Sequence, residues 1–348
     1  MTRSKVLITG GAGFLGINLL RFLRTKGYAL ASYDLAPLDA PDLQSDVEAI
    51  RGDVRDATLV ERSLAGVDVV VHAAAALPLY SAQDIHTTDV GGTRAVLEAA
   101  RRRGVARVVH ISSTAVYGIV DHAPAREDDP LRGVGPYGAA KVEAEALCGR
   151  FRAEGMTLSI LRPATFVGPE RLGVFDLLFD WALDGRNFPV LGGGEHRHQF
   201  LHVEDVCRAI EVCITGSDTA VSETFNVGAK DFGTLKSDFQ AVLDEAGFGR
   251  RIVALPAAPA IAALRILGAV GLSPLYPWVY ENFDRDIAVA VDRIEESLGF
   301  APAHSNVDAL LANFRWYRDH RTEFASKSGI SHRVPWKQGA LRVARRFF

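Results

Sequence analysis

Residues 5–16 read KVLITGGAGFLG, and this stretch decides the fold of the chain. It opens with an apolar run, Lys5 to Thr9, of the length of a buried parallel strand. Three glycines follow: Gly10 permits a tight turn out of the strand, Gly13 lets the backbone approach a pyrophosphate, and Gly16 lets the next helix pack against the strand. Because a helix N-terminus presents free N–H groups and the positive end of a dipole, the stretch predicts a dinucleotide phosphate site.

The acid that ends the second predicted strand indicates which dinucleotide binds. Residues 29–33 form another apolar run that leads into Asp34. An acid at this point accepts hydrogen bonds from the adenosine ribose hydroxyls and repels a 2′-phosphate, so it favours NAD over NADP. A third predicted strand, 47–53, ends in Asp53. Asp53 either reaches the exocyclic amine of adenine or caps the helix that follows.

Strands and helices continue to alternate as far as residue 170. The further predicted elements are strands at 67–75, 107–111 and 157–163, and helices at 89–103 and 137–150. This order is typical of an α/β fold, a Rossmann-type doubly wound parallel sheet. We expect an NAD-binding domain over 1–170 with some later segments returning to it, a smaller C-terminal substrate-binding lobe over 171–331, and an extension over 332–348.

The composition narrows the classes of protein. Of the 348 residues, 48% are hydrophobic, which suffices for a full core. The formal net charge of −3 gives no electrostatic basis for binding nucleic acid. The three cysteines lack metal-ligand spacing, so we predict no metal site and expect buried, reduced thiols. The residues before the first strand do not form a signal peptide, which favours a cytoplasmic protein.

A tyrosine and a lysine on one predicted helix form the candidate chemical centre. Tyr137 and Lys141 are four residues apart, so they share one helical face. An ammonium group beside a phenol favours the phenolate, which suits the tyrosine to act as a general base. Taken alone, such a pair is also common on helix surfaces. The hydroxyls of residues 112–114 follow a central strand and either point into the cleft or cap the chain locally.

As a set, these motifs resemble the extended short-chain dehydrogenase/reductase family, in its nucleotide-sugar epimerase/dehydratase branch. The motifs that carry the resemblance are residues 9–16, Asp34, Gly52-Asp53, His72-Ala73-Ala74, Ser112-Ser113, Val116-Tyr117-Gly118, Tyr137 with Lys141, Leu161-Arg162-Pro163, Gly168-Pro169 and residues 200–206. They are specific for the family and much less specific for the substrate. His72, at the end of an apolar strand, is expected to be a structural histidine.

The resemblance implies a role for the matched residues. Tyr137 would be the general base or acid on a substrate hydroxyl, Lys141 would hold the nicotinamide ribose, and Ser113 would hydrogen-bond the same hydroxyl. Thr114 and Arg197 would contact the substrate, with Arg197 at its diphosphate unless it is a solvated loop arginine. The residues implied along the NAD cofactor are Gly10, Gly13, Phe14, Leu15, Gly16, Asp34, Asp53, Val54, Ala73, Ala74, Ala75, Tyr137, Lys141, Pro163 and Thr165.

The chain departs from the family at two places. Sugar 4,6-dehydratases of the family carry Thr-Asp-Glu where this chain has Ser113-Thr114-Ala115, so the acid pair that eliminates water is absent. The same alanine argues against the related sugar-acid decarboxylases. Asp89 stands where the family has an asparagine, and we expect a local structural effect there.

The favoured function is that of an NAD-dependent epimerase. The C4 hydroxyl of a nucleotide sugar, a UDP-hexose or UDP-hexuronate, would be oxidised to a transient 4-keto sugar and reduced again from its other face. The main alternative is an NAD(P)-dependent dehydrogenase or reductase of a steroid-like or lipid-linked alcohol. A non-catalytic NAD-binding scaffold is a third alternative, against which the intact Ser113, Tyr137 and Lys141 argue. The family also implies a homodimer through the helices at 89–103 and 137–150.

Two C-terminal segments carry a membrane hypothesis. Residues 254–280 are apolar apart from Arg265, which is typical of core or dimer packing, or of a lid over a lipid-like substrate. Residues 332–348 contain no acid and combine four arginines and Lys337 with aromatic residues. As an amphipathic helix this extension suits an anionic membrane surface, and packing on its own domain or a partner subunit is the alternative.

Overall fold

The computed structural model describes residues 4–119, 121–269 and 285–324. The extension 332–348 and the later part of the apolar segment 254–280 lie outside the described residues. Among the residues that are described, no helix is both long enough and apolar enough to cross a membrane. The described chain divides into two compact units. The first contains residues 4–165, 203–228 and 289–303, and the second contains the described residues between and after them.

Strands and helices alternate along the described chain as far as residue 163. The strands are β1 (Lys5–Thr9), β2 (Ala29–Asp34), β3 (Val47–Arg51), β4 (Val69–His72), β5 (Arg107–Ile111), β6 (Leu158–Pro163), β7 (Thr165–Val167), β8 (Phe188–Leu191), β9 (Phe200–His202), β10 (Thr224–Val227) and β11 (Ile252–Leu255). The α-helices are α1 (Phe14–Thr25), α2 (Ala57–Ser63), α3 (Ala82–Ile85), α4 (Thr93–Arg103), α5 (Gly135–Ala153), α6 (Val174–Leu183), α7 (Val203–Thr215), α8 (Asp218–Val221), α9 (Leu235–Ala246), α10 (Ala257–Ala269), α11 (Asp292–Leu298) and α12 (Asn306–Phe324). Shorter 3₁₀ helices span Pro41–Leu43 and Thr114–Tyr117, and a π-helix spans His86–Gly92.

The first unit is built on a parallel sheet of seven strands in the order β10-β6-β5-β4-β1-β2-β3. The chain runs outward from β1 to β3 and then returns to β4 on the other side of β1. The strand order therefore reverses between β1 and β4, where open α/β sheets bind ligands at the carboxyl ends of their strands. This is the predicted Rossmann-type doubly wound sheet.

Two groups of helices cover this sheet. Helix α1 packs against α7, while α4 packs against both α2 and α5. The sheet core contains fully buried aliphatic side chains such as Leu7, Val70 and Val108. Helix α4 ends at Gly104, whose φ of 65° allows a left-handed C-cap after three arginines. Buried strands and amphipathic helices thus form where the apolar pattern predicts them.

The second unit has its own hydrophobic core. It contains a pair of parallel strands, β8 and β11, and helices α6, α9 and α12 that pack on one another. Phe179, Trp181 and Phe314 are buried in this unit. Helix α10 is different, because it is almost entirely apolar and yet Ile266 on it is 69% exposed.

Some element boundaries differ from the predicted ones. The predicted strand 67–75 is shorter, since β4 ends at His72 and the backbone N–H of Ala74 turns to the side-chain hydroxyl of Thr9. The predicted helix 89–103 begins inside the π-helix. Strand β10 was not predicted as a separate strand, and it extends the sheet beside β6.

Candidate active site

The loop between β1 and α1, residues 10–13, consists of three glycines and one alanine. Gly10 has a φ of 73°, and a Cβ on it would lie 2.8 Å from the backbone nitrogen of Ala74. A Cβ on Gly16 would lie 2.3 Å from the carbonyl oxygen of Gly10. Gly13 is the N-cap residue of α1 and supplies no side-chain cap, while Phe14 and Leu15 are buried in the first turn. Only glycine fits the two tight positions, and the positive end of α1 is left for an anion.

Asp34 is fixed beside this loop at the carboxyl end of β2. Its Oδ2 accepts a hydrogen bond from the backbone N–H of Ala12 at 3.0 Å, and its Oδ1 accepts one from Ala36 at 2.8 Å. Burial raises the pKa of Asp34, and these backbone donors oppose the rise. The backbone of the glycine loop thus fixes the Asp34 carboxylate at the position where the adenosine ribose is predicted to bind.

Asp53 and Val54 follow β3. The guanidinium of Arg55 binds the Asp53 carboxylate, with Nη2 at 2.6 Å from Oδ2, and lowers the pKa of Asp53. Helix α2 is capped by Asp56 instead, whose Oδ1 accepts two backbone hydrogen bonds at 3.0 and 3.1 Å. Val54 is buried, and a Cβ added to Gly92 would lie 2.6 Å from its Cγ1. Because Asp56 caps α2, the capping alternative for Asp53 is wrong. Contact of Asp53 with adenine stays a prediction.

Small residues line the carboxyl end of β4, beside β1, where the strand order reverses. The backbone N–H of Ala73 donates to the carbonyl of Thr9 at 3.1 Å, and that of Ala74 donates to Thr9 Oγ1 at 3.2 Å. Ala73 and Ala74 are half-buried, and Ala75 is exposed. His72 is buried with Nδ1 at 2.7 Å from Thr9 Oγ1, so it is a satisfied structural histidine, as the sequence favoured.

Ser113 and Thr114 lie on the turn after β5. Ser113 Oγ accepts a hydrogen bond from the backbone N–H of Ala115 at 3.2 Å and so caps the 3₁₀ helix, which packs against α5. Thr114 and Ala115 are half-buried. A Cβ on Gly138 would lie 3.1 Å from the carbonyl oxygen of Ala115, so the small residue lets this turn approach the first turns of α5.

Tyr137 and Lys141 lie one turn apart on α5. The Nζ of Lys141 is 5.6 Å from the centroid of the Tyr137 ring. Tyr137 is half-buried against the sheet core, whereas Lys141 is only 3% exposed. Burial by itself lowers the pKa of Lys141, but its neighbours, Asp89 first and then Tyr137, Glu145 and Cys148, oppose this and leave the pKa raised. The lysine is therefore an ammonium ion next to the phenol at physiological pH.

One turn further along α5, Glu145 anchors a second buried group. The guanidinium of Arg162, on β6, binds both carboxylate oxygens of Glu145, with Nη2 at 2.6 Å from Oε2. Its Nη1 donates to the hydroxyl of Tyr117 at 2.8 Å, and that hydroxyl donates to Asn226 Oδ1 at 2.6 Å. Burial raises the pKa of Tyr117 to about 12. This group ties α5, β6, β10 and the end of the 3₁₀ helix together.

The remaining predicted cofactor residues continue along the same edge of the sheet. Pro163 is buried, ends β6 and pairs with Val227 of β10. Thr165 is half-buried and begins β7. Both lie at the carboxyl end of β6, as Gly10, Asp34 and Ala73 lie at the carboxyl ends of β1, β2 and β4. The first unit thus gathers the predicted cofactor residues at one edge.

Arg197 belongs to the second unit. Its guanidinium lies over the ring of Phe232 with the central carbon 4.4 Å from the ring centroid, and Nη2 donates to the Phe232 carbonyl at 3.1 Å. The residue is exposed. Its side chain is therefore oriented by local contacts.

Two buried contacts were missed by the reasoning from sequence. The first is the contact of Asp89 with Lys141. From the sequence, Asp89 is only a difference from the family asparagine with an expected local structural effect. The ion pair of Glu145 with Arg162 was not predicted. The repeat of polar residues at 137, 141 and 145, each four apart on one helix, was the available signal.

These residues fit an NAD cofactor on structural grounds. The glycine loop leaves no room for side chains where a pyrophosphate would meet the start of α1. Asp34 offers carboxylate oxygens at the end of β2, and Lys141 offers a charged donor near Tyr137. The arrangement can bind a dinucleotide and can move a proton at the Tyr137 hydroxyl.

Comparison with known proteins identifies the family. The model of the NAD dependent epimerase/dehydratase family matches residues 6–228, and the chain belongs to this family. It is an NAD-dependent enzyme of the nucleotide-sugar epimerase/dehydratase class. The predicted family, fold, enzyme class and cofactor are confirmed.

Three similar proteins illustrate the relationship. An uncharacterized protein, y4nG, of Sinorhizobium fredii is 33% identical over 341 residues, covering 97% of this chain and 84% of that protein. A dTDP-glucose 4,6-dehydratase of Streptomyces griseus is 32% identical over 336 residues, covering 91% of this chain and 95% of the dehydratase. The crystal structure of UDP-glucose 4-epimerase from Thermotoga maritima has a TM-score of 0.76 at 23% identity, over 91% of this chain and 99% of the epimerase. At that identity the last likeness shows the fold alone.

Proposed function

We propose that this enzyme is a 4-epimerase of a nucleotide sugar, a UDP-hexose or UDP-hexuronate, that works through a transient 4-keto sugar. The observation that carries the proposal is the pairing of Tyr137 with a buried, charged Lys141 on a helix that meets a turn without acids at 114 and 115. The pair supplies proton transfer at an alcohol, and the turn supplies only hydroxyls and a methyl group. Such a site suits oxidation and reduction at one carbon.

In the proposed mechanism Tyr137 accepts the proton of the C4 hydroxyl, and Ser113 hydrogen-bonds the same oxygen. NAD, when bound, would supply the hydride acceptor and donor at C4. The 4-keto sugar would rotate within the site before reduction, so that its other face is reduced, and Tyr137 would return the proton. The hydroxyl proton and the hydride are each removed once and returned once, so the reaction is redox-neutral.

Epimerisation is favoured over dehydration because of the residues at 114 and 115. Loss of water from a sugar needs an acid to protonate the leaving hydroxyl and a base to take the neighbouring proton. Thr114 and Ala115 cannot do this, and both are half-buried on the turn after β5. The similarity to a dehydratase therefore supports the first oxidation step, which both reactions share.

The cofactor and substrate residues are assigned by the same proposal. The residues at the carboxyl edge of the sheet, from Gly10 to Thr165, hold NAD, with Asp34 at the adenosine ribose and Lys141 at the nicotinamide ribose. Asp53 with Val54 lies nearest the adenine. Thr114 contacts the sugar, and Arg197 binds the diphosphate. The exposure of Arg197 leaves its guanidinium accessible to a ligand.

The test begins with cofactor content. The protein is purified without added cofactor and denatured, and the nicotinamide nucleotide released per chain is quantified. Near-stoichiometric NAD is expected, because a redox-neutral epimerase keeps its cofactor through the cycle. Incubation with UDP- and dTDP-sugars, followed by proton NMR, should then show interconversion of C4 epimers without net NADH. Empty protein, or net NADH formation, would contradict the epimerase proposal.

Replacing Tyr137 by phenylalanine separates chemistry from binding. Tyr137→Phe should lower turnover by about 10²–10⁴-fold, the usual contribution of a general acid–base group, while the bound NAD stays near the wild-type amount. Tyr80→Phe, at an exposed tyrosine, is the matched control and should keep wild-type turnover. Wild-type-like turnover by Tyr137→Phe would remove Tyr137 from the mechanism.

A net dehydrogenase or reductase of a lipid-linked alcohol is the second candidate, and the exposed apolar face of α10 favours it. Both this candidate and the membrane hypothesis predict affinity for apolar phases. Truncation after residue 331 should reduce sedimentation with anionic liposomes if the basic extension contacts membranes, and should leave sugar turnover unchanged. Equal sedimentation of full-length and truncated protein would exclude the extension from membrane binding.

A further inference from the structure

Asp89 sits in an unusual element next to the proposed catalytic helix. The π-helix His86–Gly92 connects α3 to α4 and packs against both of them and against α5. Helical turns with this wider winding occur mostly as short insertions, often at functional sites. Asp89 lies in this turn and is only 1% exposed. A carboxylate so deeply buried needs a partner.

The hydrogen bonds of Asp89 leave one carboxylate oxygen for a cation. Oδ1 accepts a hydrogen bond from the backbone N–H of Ala76 at 2.8 Å. Among the described residues, no group donates a hydrogen bond to Oδ2, which lies 3.8 Å from Nζ of Lys141. Burial raises the pKa of Asp89, and Lys141 with the Ala76 N–H group opposes that rise. The two side chains therefore form a buried ion pair whose N–O distance is longer than that of a hydrogen bond.

The surroundings of Lys141 make Asp89 its decisive counter-charge. On its own helix the lysine faces Tyr137, Glu145 and Cys148. The charge of Glu145 is already matched by the two-point contact with Arg162, and burial raises the pKa of the Cys148 thiol, so this group stays neutral.

The sheet side of Lys141 offers no charge either. His72 on β4 and His110 on β5 both face the lysine, and burial lowers the pKa of each, to about 3 for His72. Both imidazoles are therefore neutral at physiological pH. The carboxylate of Asp89 is left as the unmatched negative charge beside the buried ammonium.

We propose that Asp89 is a positioning residue that keeps Lys141 in its ammonium form against the cost of burial. Without the Asp89 carboxylate, the desolvation of Lys141 would be opposed less strongly, and the ammonium form would be less stable relative to the amine. The charge of Lys141 is what the proposed mechanism uses, to assist proton transfer at Tyr137 and to hold the nicotinamide ribose. The consequence for turnover rests on the proposed function, whereas the effect on the lysine charge does not.

The test compares the ionisation of Lys141 in the wild type and in Asp89→Asn. The substitution has nearly the same shape and can keep the hydrogen bond from Ala76. Protein labelled with ¹³C at the lysine ε-carbon is followed by NMR as the pH is raised, and the Lys141 signal is assigned by its loss in Lys141→Arg. Far-UV circular dichroism defines the pH range in which each variant stays folded. Glu143→Gln, at an exposed carboxylate of the same helix, is the matched control.

We expect the Lys141 signal of Asp89→Asn to titrate at least about one pH unit below that of the wild type and of Glu143→Gln. The proposal is also supported if the Lys141 signal titrates within the folded pH range in Asp89→Asn but in neither the wild type nor Glu143→Gln. Equal midpoints, or no titration of either protein while folded, would overturn it.

The pH dependence of turnover then tests whether the charge of Lys141 is used in the reaction. The alkaline limb of the turnover profile of Asp89→Asn should move to lower pH by a similar amount. If no nucleotide sugar is turned over, the proposed function fails while the NMR result still decides the role of Asp89. If the signal shifts and the alkaline limb does not, the charge of Lys141 is not what limits turnover.

Discussion

Helix α5 carries two buried ionic groups one turn apart, and they are built differently. The arginine cluster consists of Arg162, Glu145, Tyr117 and Asn226, and Arg162 binds Glu145 with contacts of 2.6, 3.0 and 3.1 Å. The lysine cluster consists of Lys141, Asp89, His72 and His110, and its ion pair is separated by 3.8 Å. Within the described chain, both nitrogens of His110 lack a hydrogen-bond partner.

The difference separates a fixed anchor from an adaptable site. In the arginine cluster the charges are matched by short hydrogen bonds, so the desolvation of both ions is offset and the geometry is defined. In the lysine cluster the contact is long and neighbouring polar atoms are unsatisfied. Buried polar groups of this second kind cost stability and occur where function needs them. The arginine cluster thus defines the position of α5, and the lysine cluster is the less tightly bonded of the two.

Breaking the arginine cluster should have the larger effect on stability. Arg162→Met leaves Glu145 buried without its partner, and we expect the free energy of unfolding to fall by about 3–5 kcal/mol. Urea titration followed by far-UV circular dichroism measures this loss. In the double variant Glu145→Gln with Arg162→Met, much of the loss should be recovered because no unpaired charge remains.

The exposed pair of Arg126 with Asp292 is the control for that experiment. Its side chains are 63% and 58% exposed and 3.4 Å apart. Arg126→Met should change the free energy of unfolding by less than about 1 kcal/mol, since water screens the pair. If Arg162→Met cost no more than this control, the buried pair would not be the anchor of α5.

The lysine cluster should make stability depend on pH with a definite sign. Burial lowers the pKa of His110 well below its ordinary value of 6.5, so the unfolded chain takes up the proton first as the pH falls. Stability is therefore lost below about pH 6.5 and continues to fall toward the folded-state pKa. In His110→Leu the slope between pH 6.5 and 4.5 should flatten by up to about 1.4 kcal/mol per pH unit.

His122→Asn, at a histidine whose side chain is 57% exposed, is the comparison for this slope. A wild-type slope in His110→Leu would mean that His110 does not stay neutral in the folded protein. The same substitution removes two unpaired polar atoms, so no large loss of stability is expected at neutral pH.

The parts of the fold that follow from local patterns were predictable. Strand β1 has the predicted limits, and so does β5, because a short apolar run between polar residues has few alternatives. The glycine spacing predicted the turn into α1, and the tight approaches at Gly10 and Gly16 give its physical reason. Tyr137 and Lys141 share a face because residues four apart on a helix always do.

Contacts between residues distant in sequence were beyond this reasoning. Glu145 and Arg162 are 17 residues apart, and Tyr117 and Asn226 are 109 apart. Nothing in the spacing of these residues shows that β10 lies beside β6 and brings Asn226 to Tyr117. The π-helix was also missed, since a pattern of apolar residues does not distinguish a π turn from the start of an α-helix.

The sequence by itself determined the family, the sheet and the cofactor class, because these depend on glycines, strand-ending acids and helical spacing that act locally. The tertiary structure alone decided which charges meet. It placed Asp89 against Lys141 and Arg162 against Glu145. Lys141 and Glu145 are both buried on α5. The energy of a charge depends on its burial and on the distance to its neighbours, and both are set only when separate segments of the chain pack together.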